Sequence, residues 1–123
     1  MNKLWITCNT NQSITINSTS VAAIDLEYTL HYAYIISNTF QERSVTGVFN
    51  NAIVVALSPP AALYSYVIRN LTVFNPNVAT VGVKINLLES GSFYNLDNFE
   101  LGQDESYSSN GCLTSEGKLK LAS

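Results

Sequence analysis

Apolar residues recur at every second position in short runs along this chain, and turn-forming residues interrupt those runs roughly every 8 to 12 positions. The clearest run spans residues 21–36, where Leu26, Tyr28, Leu30, Tyr32, Tyr34 and Ile36 share one face and Asp25, Glu27, Thr29 and His31 the other. A period of two specifies a half-buried strand, whereas an amphipathic helix needs a period near 3.6. Upstream, residues 4–8 and 13–17 flank the polar stretch Asn9-Thr10-Asn11-Gln12 and predict an opening hairpin. Residues 1–20 would then be an N-terminal hairpin or arm, open to exchange with a neighbouring subunit.

Downstream, residues 37–44 read as a polar link. Residues 45–57 are apolar and β-branched, with Asn50-Asn51 as a bulge or turn between two strands or within one bent strand. Pro59 and Pro60 cannot donate to a ladder, so they mark a loop between halves. From residue 58 onward the pattern reads as one meander. Its strands lie at 64–74, 80–88, 93–101 and 105–109, with turns at Asn75-Pro76-Asn77, Ser90-Gly91, Gly102-Gln103-Asp104 and Asn110-Gly111. The last strand alternates Lys118 and Lys120 with Leu119 and Leu121. Its lysines either guard an open edge or mark a docking strand. No helical period interrupts the series. The pattern predicts an all-β fold, an antiparallel β-sandwich or jelly roll of short strands, with a closed barrel as the alternative.

Composition sharpens this picture. The chain has 123 residues, 46% of them apolar, which suits one domain with one core spanning 1–123. Charged residues supply only 12%, and the missing polarity comes from Asn, Ser and Thr, which fill 38 positions. Such a neutral amide and hydroxyl surface predicts that neighbouring subunits cover part of it. The net charge is −3 and the six Lys and Arg are scattered, which argues against nucleic acid as a partner. No stretch approaches the ~20 apolar residues of a membrane span or the core of a signal peptide, so the expectation is synthesis in a cytoplasm. Cys8 and Cys112 lack metal-ligand spacing and read as free thiols, although a disulfide between them would tie the two ends of the chain.

Candidate chemistry is sparse. His31 is the only histidine, it lies mid-strand, and no GxSxG nucleophile motif accompanies it. Asp97, Glu100, Asp104 and Glu105 gather around Gly102 but match no metal loop, and they read as a solvated acidic edge. Neither catalytic residues nor a cofactor are therefore expected. Aromatics are the more informative group, because tyrosine concentrates where one end of a side chain is buried and the other meets a partner. The interface candidates are Trp5, Tyr28, Tyr32, Tyr34, Tyr64 and Tyr66, with Lys118 and Lys120 on the closing strand.

The segments Ser58-Pro59-Pro60-Ala61-Ala62, Arg69-Asn70-Leu71-Thr72-Val73-Phe74-Asn75 and Thr80-Val81-Gly82-Val83-Lys84-Ile85 together resemble small accessory proteins of tailed-phage virions. There a Pro- and Ala-containing loop leads to an Arg-x-Leu-x-Val-x-Asn strand and then to alternating valines. Leu101-Gly102-Gln103-Asp104-Glu105-Ser106-Tyr107 looks like that family's Leu-x-x-Gly-Glu-Ser-Tyr step, with Gln103 and Asp104 inserted before Glu105. Gly117-Lys118-Leu119-Lys120-Leu121-Ala122-Ser123 looks like its closing segment, with Ser in place of an expected Asp near the turn.

The resemblance covers about residues 45–123. It implies a non-enzymatic virion protein, made in the host cytoplasm, that decorates the capsid. Its partners would be the major capsid protein or another virion subunit, and further copies of itself in a dimer or trimer. Neck, tail or baseplate placement is the alternative within the same family. A second class of function is a carbohydrate-binding receptor module, in which Trp5 or an exposed tyrosine stacks on sugar rings.

Overall fold

The computed structural model describes residues 11–37, 39–62 and 64–108, together with the backbone of short strands at 3–4, 7–8 and 113–114. Within these residues every regular element is a strand. In chain order they are β1 (Lys3–Leu4), β2 (Thr7–Cys8), β3 (Gln12–Ser18), β4 (Leu26–Ile36), β5 (Thr39–Phe49) and β6 (Val54–Leu57). They continue with β7 (Ser65–Phe74), β8 (Val81–Glu89), β9 (Ser92–Leu101), β10 (Ser106–Ser108) and β11 (Leu113–Thr114).

Two antiparallel sheets pack face to face as a β-sandwich. The first runs β10-β7-β4-β5, with β2 pairing β7 at Tyr66 and Val67, beyond the end that β10 occupies at 72–74. The second runs β6-β3-β8-β9. β1 and β11 form a separate pair that brings positions 3–4 alongside 113–114. Leu26, Leu30, Phe49, Leu71 and Val73 from the first sheet meet Ile14, Ile16, Val83, Ile85 and Leu101 from the second, all of them buried. Each such side chain contributes about 1.5–3 kcal/mol by leaving water, so this layer is the main source of stability.

Period-two patterning placed the strands but not the sheets. Residues 58 onward form no meander: β7 and β10 belong to the first sheet and β8–β9 to the second, so the chain crosses the sandwich between them. Alternation reports which face of a strand is buried, and a crossing leaves that pattern intact. The opening hairpin is likewise corrected. β2 pairs with β7, while β3 sits inside the second sheet between β6 and β8. Residues 12–18 are therefore an interior strand rather than an arm, and Ser13 and Thr15 are buried on its outward face. Small polar residues at those positions concealed the second covered face. The polar link at 37–44 is corrected too, because Thr39 onward is β5, an edge strand exposed along most of its length. An edge strand with two wet faces has no apolar alternation to read.

Bulges re-aim residues in both sheets. Between His31 and Tyr32 the β4–β7 register slips by one, leaving Arg69 as the extra residue on β7. Between Ile85 and Asn86 the β8–β9 register slips likewise, with Leu96 as the extra residue on β9. The β8–β9 hairpin closes through Ser90 at φ 51° and Gly91 at φ 85°. Positive φ at both central positions matches the right-handed twist of the strands.

Asparagine amides hold the loops where backbone pairing ends. Asn50 accepts from Ala22 N at 2.8 Å and donates to Ala22 O at 3.0 Å, and Asn77 does the same with Ile24 N (2.7 Å) and Ile24 O (2.8 Å). Each side-chain amide thus acts as a peptide group for the loop at 21–25. Asn75 is fully buried. Its Nδ2 donates to Ala79 O, Leu101 O and Gly102 O, and its Oδ1 accepts from the backbone and side-chain nitrogens of Asn77.

Candidate functional site

The alternation of β4 puts Tyr28, Tyr32 and Tyr34 on its inner face, but the covering of that face is uneven along the strand. Tyr28 is 6% exposed and packs in the core against Phe49, its ring lying over Gly47. Its phenol pKa is raised by desolvation. Tyr28 is thus a core residue, which corrects its place among the interface candidates. Tyr32 and Tyr66 are half-buried and lean on the edge of the core. Tyr34 and Tyr64 lie beyond the core cluster, half-buried.

These outer tyrosines form one continuous aromatic wall. Tyr32 meets Tyr66 edge-on at 4.8 Å between centroids, Tyr66 meets Tyr34 at 5.5 Å, and Tyr34 stacks on Tyr64 at 4.3 Å. The Arg43 guanidinium sits 4.4 Å from the Tyr34 centroid, in cation–π range. It also donates to Gln41 Oε1 at 2.8 Å. A shallow cavity of about 240 Å³ opens here, lined by Tyr34, Ile36, Thr39, Gln41, Arg43 and Tyr64. The wall forms because β4 pairs with β7, which sets Tyr34 opposite Tyr66, and the pairing of β4 with β5 brings Gln41 and Arg43 alongside. The sequence reading found the tyrosines but not Arg43 or Gln41, whose cross-strand register supplies the polar partners.

Trp5, Lys118 and Lys120 lie outside the described residues, as does any pairing of Cys8 with Cys112. At the loop end of the sandwich, Val21, Ile24 and Val78 stand exposed beside a cavity of about 370 Å³, on loops fixed by Asn50 and Asn77.

Asp97 and Glu105 serve structural ends. Asp97 accepts from Tyr107 Oη at 3.1 Å and from Asn98 N at 2.9 Å, and Glu105 caps Gly102 N across its turn. Tyr107 is buried and stacks on Phe99 at 3.9 Å. Its phenol is pushed far up, first by desolvation and then by the charge and hydrogen bond of Asp97. His31 is exposed on the outer face, across from Ser44 and Asn70. Among the described residues no three His, Cys, Asp or Glu side chains gather as a metal ligand set would. No described helix is long and apolar enough to cross a membrane.

Comparison with protein-family models, with curated proteins and with solved structures finds no match to this chain.

Proposed function

We propose that this protein is a non-enzymatic assembly subunit that docks a protein partner through the tyrosine wall, and that the assembly is a phage virion. The observation that carries the docking role is the Tyr32-Tyr66-Tyr34-Tyr64 wall with Arg43 over it, half-buried and running from the edge of the core outward beyond it. Tyrosine and arginine concentrate at interface hot spots because each offers a large desolvatable surface with a polar tip. The neutral surface supports the same reading, since amides and hydroxyls hydrogen-bond to a partner at lower desolvation cost than unpaired charges. The virion placement rests on the resemblance of residues 45–123. In that reading the protein decorates the capsid as a homo-oligomer, and many weak symmetric contacts to the major capsid protein supply avidity.

The test is the mass of the purified protein by light scattering, followed by co-sedimentation with purified capsids and, separately, with tails. A dimer or trimer that pellets with capsids, and loses both properties in Tyr34→Ala/Tyr64→Ala, supports decoration through the wall. Pelleting with tails alone moves the subunit to the neck or baseplate. A monomer that pellets with neither refutes the assembly role.

A further inference from the structure

We propose that the outward face of the second sheet, on the side opposite the core, is a binding groove for a neutral saccharide. This inference does not depend on the assembly role, since it concerns a different sheet. Strand pairing sets Asn17, Lys84 and Asn98 in one row across β3, β8 and β9, and Thr15, Asn86 and Asn95 in the next. The cavity over these rows is about 500 Å³, bounded by Ile53 at one side and by Phe93 at the other. That volume falls in the range of small-molecule sites.

The lining has one chemical character. Four side-chain amides and one ammonium line it, and no carboxylate does. An amide both donates and accepts, as a sugar hydroxyl does, so a row of amides matches vicinal hydroxyls without burying charge. Phe93 is 50% exposed and Ile53 53%, which leaves apolar surface for the C–H face of a pyranose ring. The amides are pre-positioned: Asn95 Nδ2 donates to Asn98 Oδ1 at 2.9 Å and to Asn86 Oδ1 at 3.2 Å. β8 is hydrogen-bonded on both sides, to β3 and to β9, so these side chains stand on paired backbone before a ligand arrives.

Asn17, at the edge of the groove, has its Oδ1 buried without a hydrogen bond inside the protein, an unusual state for a buried polar atom. Lys84 is the one cation in the lining, against four neutral amides.

The test uses the full-length protein on an array of neutral, sialylated and sulfated oligosaccharides, followed by calorimetry with the best neutral probe. Binding to neutral glycans, weakened about tenfold or more by Phe93→Ala and by Asn98→Ala, is expected. Tyr94→Ala, an exposed ring that does not line the groove, leaves affinity unchanged. Binding confined to anionic glycans, no binding at millimolar probe, or affinity that survives Phe93→Ala overturns the proposal. Tyr64→Ala separates the two functions: it spares saccharide binding while abolishing capsid pelleting if both hold.

Discussion

Replacing Asn75 by alanine removes an amide that makes five hydrogen bonds from a fully buried position. Three of the partners left behind, Leu101 O, Asn77 N and Asn77 Nδ2, are in buried bonds; Asn77 Nδ2 keeps its bond to Ile24 O, and each of the other two costs roughly 1–3 kcal/mol when orphaned. Ala79 O and Gly102 O are only part-buried, so water replaces much of what they lose, at roughly 0.5 kcal/mol each. The total is about 3–7 kcal/mol, a large share of the ~5–15 kcal/mol that holds a domain of this kind. Urea denaturation with a far-ultraviolet signal measures it, and a melting temperature lower by at least about 10 °C should accompany it.

Asn75→Asp sharpens the test because it keeps the shape and removes only the donors, facing a carboxylate toward three carbonyls. Burial raises the new carboxyl's folded pKa above its unfolded value, so the folded state binds the proton more readily. Stability then falls as pH rises, and the deficit relative to the native sequence should narrow between pH 7 and pH 4. A loss below about 1 kcal/mol in Asn75→Ala, or a pH-independent deficit in Asn75→Asp, would refute the hub.

Three further outcomes are expected. Tyr107→Phe keeps the Phe99 stack and loses the bond to Asp97, costing about 1–2 kcal/mol in chemical denaturation. Because the folded state holds the Tyr107 proton above the unfolded pKa near 10, stability is intact below that pH and declines above it, by up to about 1.4 kcal/mol per pH unit. Native-state absorbance titration at 295 nm should show Tyr107 silent until the chain unfolds. A Cβ at Gly47 would lie 2.6 Å from Tyr28 Oη, so Gly47→Ala must shift that ring against its core neighbours, and a cost of about 1–3 kcal/mol is expected from thermal melts. Gly91→Ala meets no steric neighbour but must hold φ 85°, so its cost of about 1 kcal/mol should appear as faster unfolding or a lower melting point without loss of fold.

Much of the fold was legible in the sequence because alternation survives wherever one strand face is dry. Leu26, Leu30, Val81, Val83 and Ile85 are buried as their period demands. What alternation does not encode is where along a strand the opposing sheet stops. Tyr28 and Tyr34 share one phase of β4, yet Tyr28 is in the core and Tyr34 outside it. The outer face varies in the same way: Ala33 is fully buried on the face that His31 exposes, two residues along the same strand. The amide groove was invisible for a different reason. Asn17, Asn86, Asn95 and Asn98 look like scattered turn formers until the pairing of β3 with β8 and β8 with β9 sets them side by side.

The amide hubs also decide how the fold responds to its solution. Asn75 and Asn77 tie the loop ends together through neutral dipoles, and a dipole pair gives Debye screening almost nothing to act on. Ionic strength from near zero to molar should therefore leave this end of the sandwich in place, whereas a fold laced by ion pairs would soften. Urea is the opposite case: it is itself an amide, solvates peptide groups, and competes for the carbonyls that Asn75 occupies. The loops at 21–25 and 75–80 are thus held by bonds that salt leaves alone and that urea competes for directly.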